Sequence, residues 1–425
     1  MAIYTQKGGA DVAVTDAELQ EMVLSAFEKS GKTIKRMLLL PPDHTRLNSR
    51  AGEITRILVA EFGGDWEIDI MPALGTHSPM GTEQLKLMFG DIPPSMFLVH
   101  DWRNDVEKLG VATGEYISEL SGGKVDYEVA IEVNRQLFAG YDLILSIGQV
   151  VPHEVVGLAN YTKNLMVGVG GSDIINKSHF LGAVTGMESI MGRADTPVRR
   201  LFNYGASFLK ELPIVFMLTV MAKDETGSMA MRGFFAGTDE EAFLHAADLS
   251  IRTNFTLLDE PLKKVVVFLD PEEFNSTWLG NKAVYRTRMA IADGGELIIL
   301  APGLKEFGED PENDRLIRKY GYRGTPFTLK AVAENEELRN SLGAAAHLIH
   351  GSSEGRFSIT YCPGAGVSRE EIESVGFRYG DLSEMVRKYD PEKLQDGFHT
   401  VDGEEIFYIS NPALGLWALK RQFGL

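Results

Sequence analysis

The chain has 425 residues, 44% hydrophobic and 24% charged, an ordinary globular composition too long for one compact core, so two domains are expected. The 42 Lys and Arg against 60 Asp and Glu leave a net charge of -18, which repels nucleic-acid phosphates and anionic membrane surfaces and speaks against both as partners. The opening MAIYTQKGGADVAVTD lacks a basic segment leading into an apolar one, and no run approaches the roughly 18 apolar residues of a spanning helix, so the expected location is the cytoplasm.

In chain order, apolar runs at 37–40, 68–71, 96–99, 143–147, 214–220, 265–269, 297–300, 347–350 and 357–361 read as buried strands, most of them closing on a loop rich in Gly, Pro or polar residues. Helical periodicity lies between many of them. Residues 16–30 place Leu19, Met22, Val23 and Phe27 on one face, and residues 281–292 read as a helix following a strand and loop. The alternation predicts an α/β fold of two domains with mainly parallel sheets and an active-site cleft between them. The segment DEPLKK at 259–264 precedes a fresh strand-loop-helix-strand unit, which puts the boundary near 260, with an N-terminal domain at 1–260 and a second α/β domain at 261–410. The stretch 413–421 reads as a helix packing back on the first domain, which 411–425 would then complete. The single cysteine, Cys362, excludes an internal disulfide and a multi-thiolate zinc site. A metal would have to rely on His, carboxylates or a cofactor.

Ligands of open α/β sheets sit beyond the carboxyl ends of strands, and three such loops carry chemistry. Residues 41–50, PPDHTRLNSR, contain Asp43 and Arg46; GTHSPM contains His77; QVVPHEVVG contains His153. Arg46 has the fork geometry that grips a carboxylate, although taken alone a surface ion pair with Asp43 is the commoner explanation of such an arginine. His77 and His153 titrate near neutral pH and suit proton transfer with a substrate hydroxyl. The stretch PHEVVGLANYTKNLMVGVGGSDIINKSHF joins His153, Lys163 and His179 through a glycine-rich VGVGG holding Gly170 and Gly171. The glycines would let backbone N–H groups approach a phosphate, Lys163 suits a nucleophile or a phosphate ligand, and His179 suits a metal.

The combination of DHTR, GTHSPM and His-x9-Lys-x15-His, in that order, resembles the nickel-dependent lactate racemase family, the nickel-pincer nucleotide racemases and epimerases of 2-hydroxy acids. The resemblance implies that the first domain binds the cofactor, a nickel-carrying pyridinium-derived mononucleotide tethered to Lys163, with His179 as the protein's nickel ligand. It implies that His77 and His153 are acid-base residues on opposite sides of the substrate and that Arg46, beside Asp43, grips the carboxylate. Lys282 in NKAVYRTRMAIADGG would be the contribution of the second domain, with Arg286 or Arg288 as alternatives. The implied reaction inverts C2 of a 2-hydroxy acid by hydride transfer to the cofactor through a 2-keto acid, and loading implies cofactor-biosynthesis proteins as partners. Where the family has serine-glycine-glycine-arginine before its lysine, this chain has Ala159, Asn160, Tyr161 and Thr162, which suggests a substrate other than lactate.

Two other classes stay open from the residues themselves. A nicotinamide-dependent 2-hydroxy acid oxidoreductase would use Arg46 and a histidine similarly, but a GxGxxG after a strand is missing. A non-catalytic carboxylate-binding relative would need Arg46 but not the lysine and three histidines together. His44, His100, His245, His347, His350 and His399 read as structural or surface residues, Trp278 as a packing residue, and Cys362 as a small buried apolar one.

Overall fold

A computed structural model describes residues 3–29, 34–224, 227–413 and 415–424. The chain divides into two compact units, Met1–Leu181 with Ser189–Asn254, and Gly182–Glu188 with Phe255–Leu425. No helix among the described residues is long and apolar enough to cross a membrane.

The first unit is built on a six-stranded sheet of β1 (Ile3–Gly8), β2 (Arg36–Leu40), β3 (Glu67–Ile70), β4 (Leu143–Gln149), β5 (Ile214–Lys223) and β6 (Met229–Gly237), in the order β1-β6-β5-β4-β2-β3. The strands β5, β4, β2 and β3 run parallel, and β1 and β6 close one side antiparallel. Both faces are covered, which is why β2 and β4 read as continuous apolar runs rather than alternating ones. Met37, Leu39, Ile68, Ile70, Leu143 and Leu145 pack into one core, and Leu38, Leu40 and Ile144 into the other, as a side-chain period of two requires. The helix Asp16–Glu28 starts on a capping box between Thr15 and Glu18; Ser30, the expected helix end, lies outside the described residues.

The second unit carries β7 (Phe255–Leu258), β8 (Leu262–Phe268), β9 (Ile291–Ala301), β10 (Ser358–Pro363), β11 (Arg378–Tyr379), β12 (Gly397–Val401), β13 (Glu404–Ile409) and β14 (Leu416–Leu419). Six of these form a sheet ordered β11-β10-β9-β8-β13-β12, parallel except for the β12–β13 pair, and β7 pairs in parallel with β14. The fold is therefore mixed α/β with mainly parallel pairing, as the alternation predicts. Cys362 packs with Val266, Leu300 and Tyr408 in this unit's core, and burial pushes its thiol up to about 12, an inert environment.

Four local expectations are corrected. Residues 96–99 form no strand: Pro93 and Pro94 lead into a short 3-10 turn, and only a bridge from Ile70 to Phe97 remains. Residues 347–350 end the helix Leu342–His350, because the preceding Ala344, Ala345 and Ala346 favour helix and four apolar residues alone cannot distinguish the two periods. The helix expected at 281–292 is only Lys282–Thr287, since Ile291 already pairs with Leu262 in β9. Of the expected helix at 413–421, residues Leu416–Leu419 are β14 and Lys420–Phe423 a 3-10 turn, while Leu414 lies outside the described residues; the strand's pairing with β7 decides what so short an apolar run becomes.

Candidate functional site

The sheet order places the carboxyl ends of β4, β2 and β3 side by side. The chain steps from β2 to β3 on one side while β4 lies on the other, so the crevice beyond β2 and β4 is a topological switch point. Asp43 caps the 3-10 helix His44–Ser49 through the Thr45 N–H, and its carboxylate, only 4% exposed, accepts from His77 Nδ1 at 2.5 Å and from the Thr45 hydroxyl. Burial alone would raise this carboxyl, but the hydrogen bonds and charges of His77, Thr45 and Arg46 outweigh it and hold it at about 2. An ionised carboxylate can only accept, so His77 carries its proton on Nδ1 and turns a lone pair on Nε2 outward. Its side chain is 55% exposed. Arg46 is exposed too, and among the described residues its guanidinium bonds locally to Thr45.

His153 follows β4 and is the reverse case. Its side chain is 13% exposed, and burial pushes its pKa well below the usual 6.5 against a partial counter-effect from Glu154. The Val155 N–H donates to Nδ1 at 3.1 Å, so the neutral ring holds its proton on Nε2. Glu154 Oε2 stands 3.9 Å from Nδ1. Lys163 opens a π-helical turn, Asn164–Gly168, a geometry that often marks functional sites. Burial, followed by the positive charge of Arg46, holds the Lys163 amine at about 8. Asn164 ties this turn to the strand ends, donating to the Leu40 carbonyl at 3.1 Å and to Ser146 Oγ at 2.9 Å. His179 lies in the helix Ser172–Thr185 and donates from Nδ1 to the Ile175 carbonyl at 2.6 Å, which leaves the lone pair on Nε2. That is the arrangement usual for a metal-binding imidazole. Burial lowers its pKa as well, as does the charge of Lys163.

These residues form one electrostatic neighbourhood: His153 feels Lys163, His179 and Arg46, Lys163 feels Arg46 and Asp43, and Asp43 feels His77. The glycines behave differently. A Cβ on Gly170 would stand 1.8 Å from the Met166 carbonyl oxygen and one on Gly171 2.3 Å from Glu132 Oε2, and their N–H groups already donate to Val167 and Glu132 carbonyls. His100 secures the same loop by donating to the Gly170 carbonyl at 3.0 Å. Gly170→Ala is accordingly expected to destabilise the protein by about 3 kcal/mol through overpacking, read as a lower midpoint in denaturant unfolding; an unchanged midpoint would contradict this packing.

Lys282 belongs to the second unit, where its amine lies 4.0 Å from Glu273 and 5.3 Å from the Phe274 ring centre. Arg288 pairs with Glu188 and Arg286 donates to the Gly415 carbonyl. Trp278 stacks on His347 with ring centres 4.2 Å apart. Tyr161 packs into the core, 4.6 Å from the Phe216 ring and 5.2 Å from that of Phe243, so the 159–162 run bears on the backbone before Lys163 and is no argument about substrate size. Sequence reasoning missed Glu154, Asn164 and Arg199. Glu154 had its adjacency to His153 as a signal, whereas Asn164 and Arg199 act through partners 124 and 41 residues away. A cavity of about 500 Å³ lined by Tyr161, Thr162, Asn203 and Glu240 includes none of the clustered residues, so chemistry rather than cavity size identifies the site.

Comparison with solved structures gives the same fold. A crystal structure of a protein from Thermotoga maritima superposes with a TM-score of 0.79 at 24% identity, covering 97% of this chain and 100% of that one. The lactate racemase apoprotein from Thermoanaerobacterium thermosaccharolyticum superposes with a TM-score of 0.71 at 16% identity, covering 95% and 93%. In sequence, the lactate racemase of T. thermosaccharolyticum is 24% identical over 279 residues, 63% of this chain and 60% of the relative's length. Residues 10–192, which hold Asp43, Arg46, His77, His153, Lys163 and His179, match the lactate racemase N-terminal domain, and the chain spans about 60% of the length of the curated lactate racemase it is similar to.

Proposed function

We propose that this protein is a cytoplasmic racemase or epimerase that inverts C2 of a 2-hydroxy acid and carries a nickel-pincer nucleotide tethered through Lys163. The observation that carries the reading is the convergence of Lys163, His179, His153 and the Asp43–His77 pair at one switch point. The residues suit such a group. Lys163, held at about 8, presents a substantial neutral fraction for acylation near neutral pH, and His179 has Nε2 available for nickel. Gly170 and Gly171 we assign to packing beneath the π-helical turn rather than to a phosphate.

When bound, the cofactor supplies an acceptor that takes and returns a hydride at C2, so that the substrate passes through the planar 2-keto acid. The chain does the rest. Arg46 grips the substrate carboxylate and orients C2. His77 takes the hydroxyl proton on Nε2, and the Asp43 carboxylate stabilises the imidazolium that results. His153 presents the proton on its Nε2 to the substrate oxygen of the opposite enantiomer, with Nδ1 held by the Val155 N–H.

The test is intact mass and nickel content of protein produced together with the cofactor-making enzymes, followed by assays on pairs of 2-hydroxy acid enantiomers. The expected result is a covalent adduct with near-stoichiometric nickel and interconversion of at least one pair. Unmodified, metal-free protein from cells shown to make the cofactor would sink the proposal.

A further inference from the structure

The loop between His153 and Lys163 contains two consecutive non-glycine residues in the left-handed region, Asn160 at φ 68° and Tyr161 at φ 57°. Both are buried. Non-glycine residues adopt this conformation at a cost, asparagine at the least; the Asn160 Oδ1 accepts from the Tyr161 N–H at 2.7 Å, and one helix adds to that local hold. In and just before the helix Pro197–Ala206, residues 196, 199 and 203 share a face and each bonds to the loop. The Thr196 hydroxyl donates to the Val156 carbonyl at 3.1 Å. The Arg199 guanidinium donates to the Leu158 carbonyl at 2.7 Å, the Asn160 carbonyl at 3.0 Å and Thr162 Oγ1 at 2.9 Å. The Thr162 hydroxyl in turn donates to Asn203 Oδ1 at 2.8 Å.

Arg199 is 1% exposed. It forms no ion pair among the described residues and stacks 4.4 Å over the Phe243 ring. A buried cation without a counterion is costly, and an apolar side chain would fill the space at less cost. What distinguishes this arginine is the chain it holds. The Asn160 carbonyl that accepts from Arg199 also accepts from the Lys163 N–H at 3.3 Å, and the Tyr161 carbonyl accepts from the Asn164 N–H at 3.0 Å. The left-handed pair is thus the hinge on which the π-helical turn begins.

We propose that Arg199 is a positioning residue for Lys163, acting through the Asn160–Tyr161 turn: its fork holds both residues left-handed and so aims the Lys163 amine. The inference deepens the reading of Lys163 as the attachment point and rests on it for its purpose, but not for its test. The charge of Arg199 also disfavours protonation of Lys163, after burial and Arg46, so the same residue contributes to keeping the amine nucleophilic.

The experiment uses the full-length, cofactor-free protein. Trace labelling by acetic anhydride near pH 8, read by peptide mass, compares the acetylation rate of Lys163 with that of Lys177, which the clamp does not touch. Arg199→Lys keeps one amine donor but loses the fork, and Arg199→Met loses both. The Lys163:Lys177 ratio is expected to fall about threefold in the first and about tenfold in the second, as a loosened turn lets water reach the amine and raises its proton affinity. Asn160→Gly added to Arg199→Lys is expected to recover at least half of the loss, because glycine takes the left-handed conformation without a clamp. If Arg199→Met does not fold, Arg199→Lys with and without Asn160→Gly decides the matter. A wild-type ratio in Arg199→Lys overturns the proposal, and so does a loss that Asn160→Gly fails to recover. A shifted ratio in protein whose wild type never acquires an adduct would uphold the positioning role and refute the tether reading instead.

Discussion

Lys163→Ala is expected to abolish the covalent adduct completely: the intact mass of protein made alongside the cofactor-making enzymes should equal that of the bare chain, with nickel at background. The physical ground is the amine's setting. Burial and the charge of Arg46 hold it at about 8, so attachment to wild-type protein should accelerate as pH rises through about 8 and level off above. A full adduct mass in Lys163→Ala would move the tether elsewhere. The same shift has a sign in stability. A lysine whose folded pKa lies below its ordinary 10.5 destabilises the fold when charged; that cost is fully present below about 8 and fades as pH approaches 10.5. Lys163→Ala should therefore raise the thermal midpoint of the cofactor-free protein at pH 7, with the gain shrinking toward pH 10.5.

His153→Ala is expected to lower interconversion of the enantiomers by a factor on the order of 10²–10⁴, the usual contribution of a positioned acid-base group, while leaving the adduct and its nickel in place. His153 is pushed well below 6.5 by burial and is neutral at physiological pH, with Nδ1 occupied by the Val155 N–H. His77 is held differently, with its Nδ1 proton on an ionised carboxylate. The two rings are not interchangeable, so His77 cannot substitute for the lost imidazole. Racemisation at the wild-type rate in His153→Ala, measured with both enantiomers as starting material, would remove His153 from the mechanism. Loss of the adduct in the same variant would show instead that the ring supports attachment.

The ingredients of the site were legible because they sit where strands end. Asp43, Arg46, His77 and His153 each follow an apolar run by a few residues, and parallel pairing of β4, β2 and β3 brings those ends together. Readings failed where an apolar segment was too short to show a period, at 347–350 and 413–421, and where prolines before 96–99 outweighed its apolar content. The clamp on Lys163 was invisible for another reason: Arg199 looks like any helix-surface arginine until the fold packs its face against residues 156–162.

The sequence by itself determined the α/β class, through alternation and apolar periodicity, and the chemical types at the strand ends. Only the tertiary structure decided their states. Which nitrogen of His77 and of His153 holds the proton depends on Asp43, 34 residues from His77, and on the Val155 N–H. How firmly Lys163 holds its proton depends on burial and on Arg46, and how its backbone is held depends on Arg199. A side chain's identity is local, but its desolvation, its hydrogen-bond partners and the charges around it are set by segments distant in sequence, and these fix what the group can do.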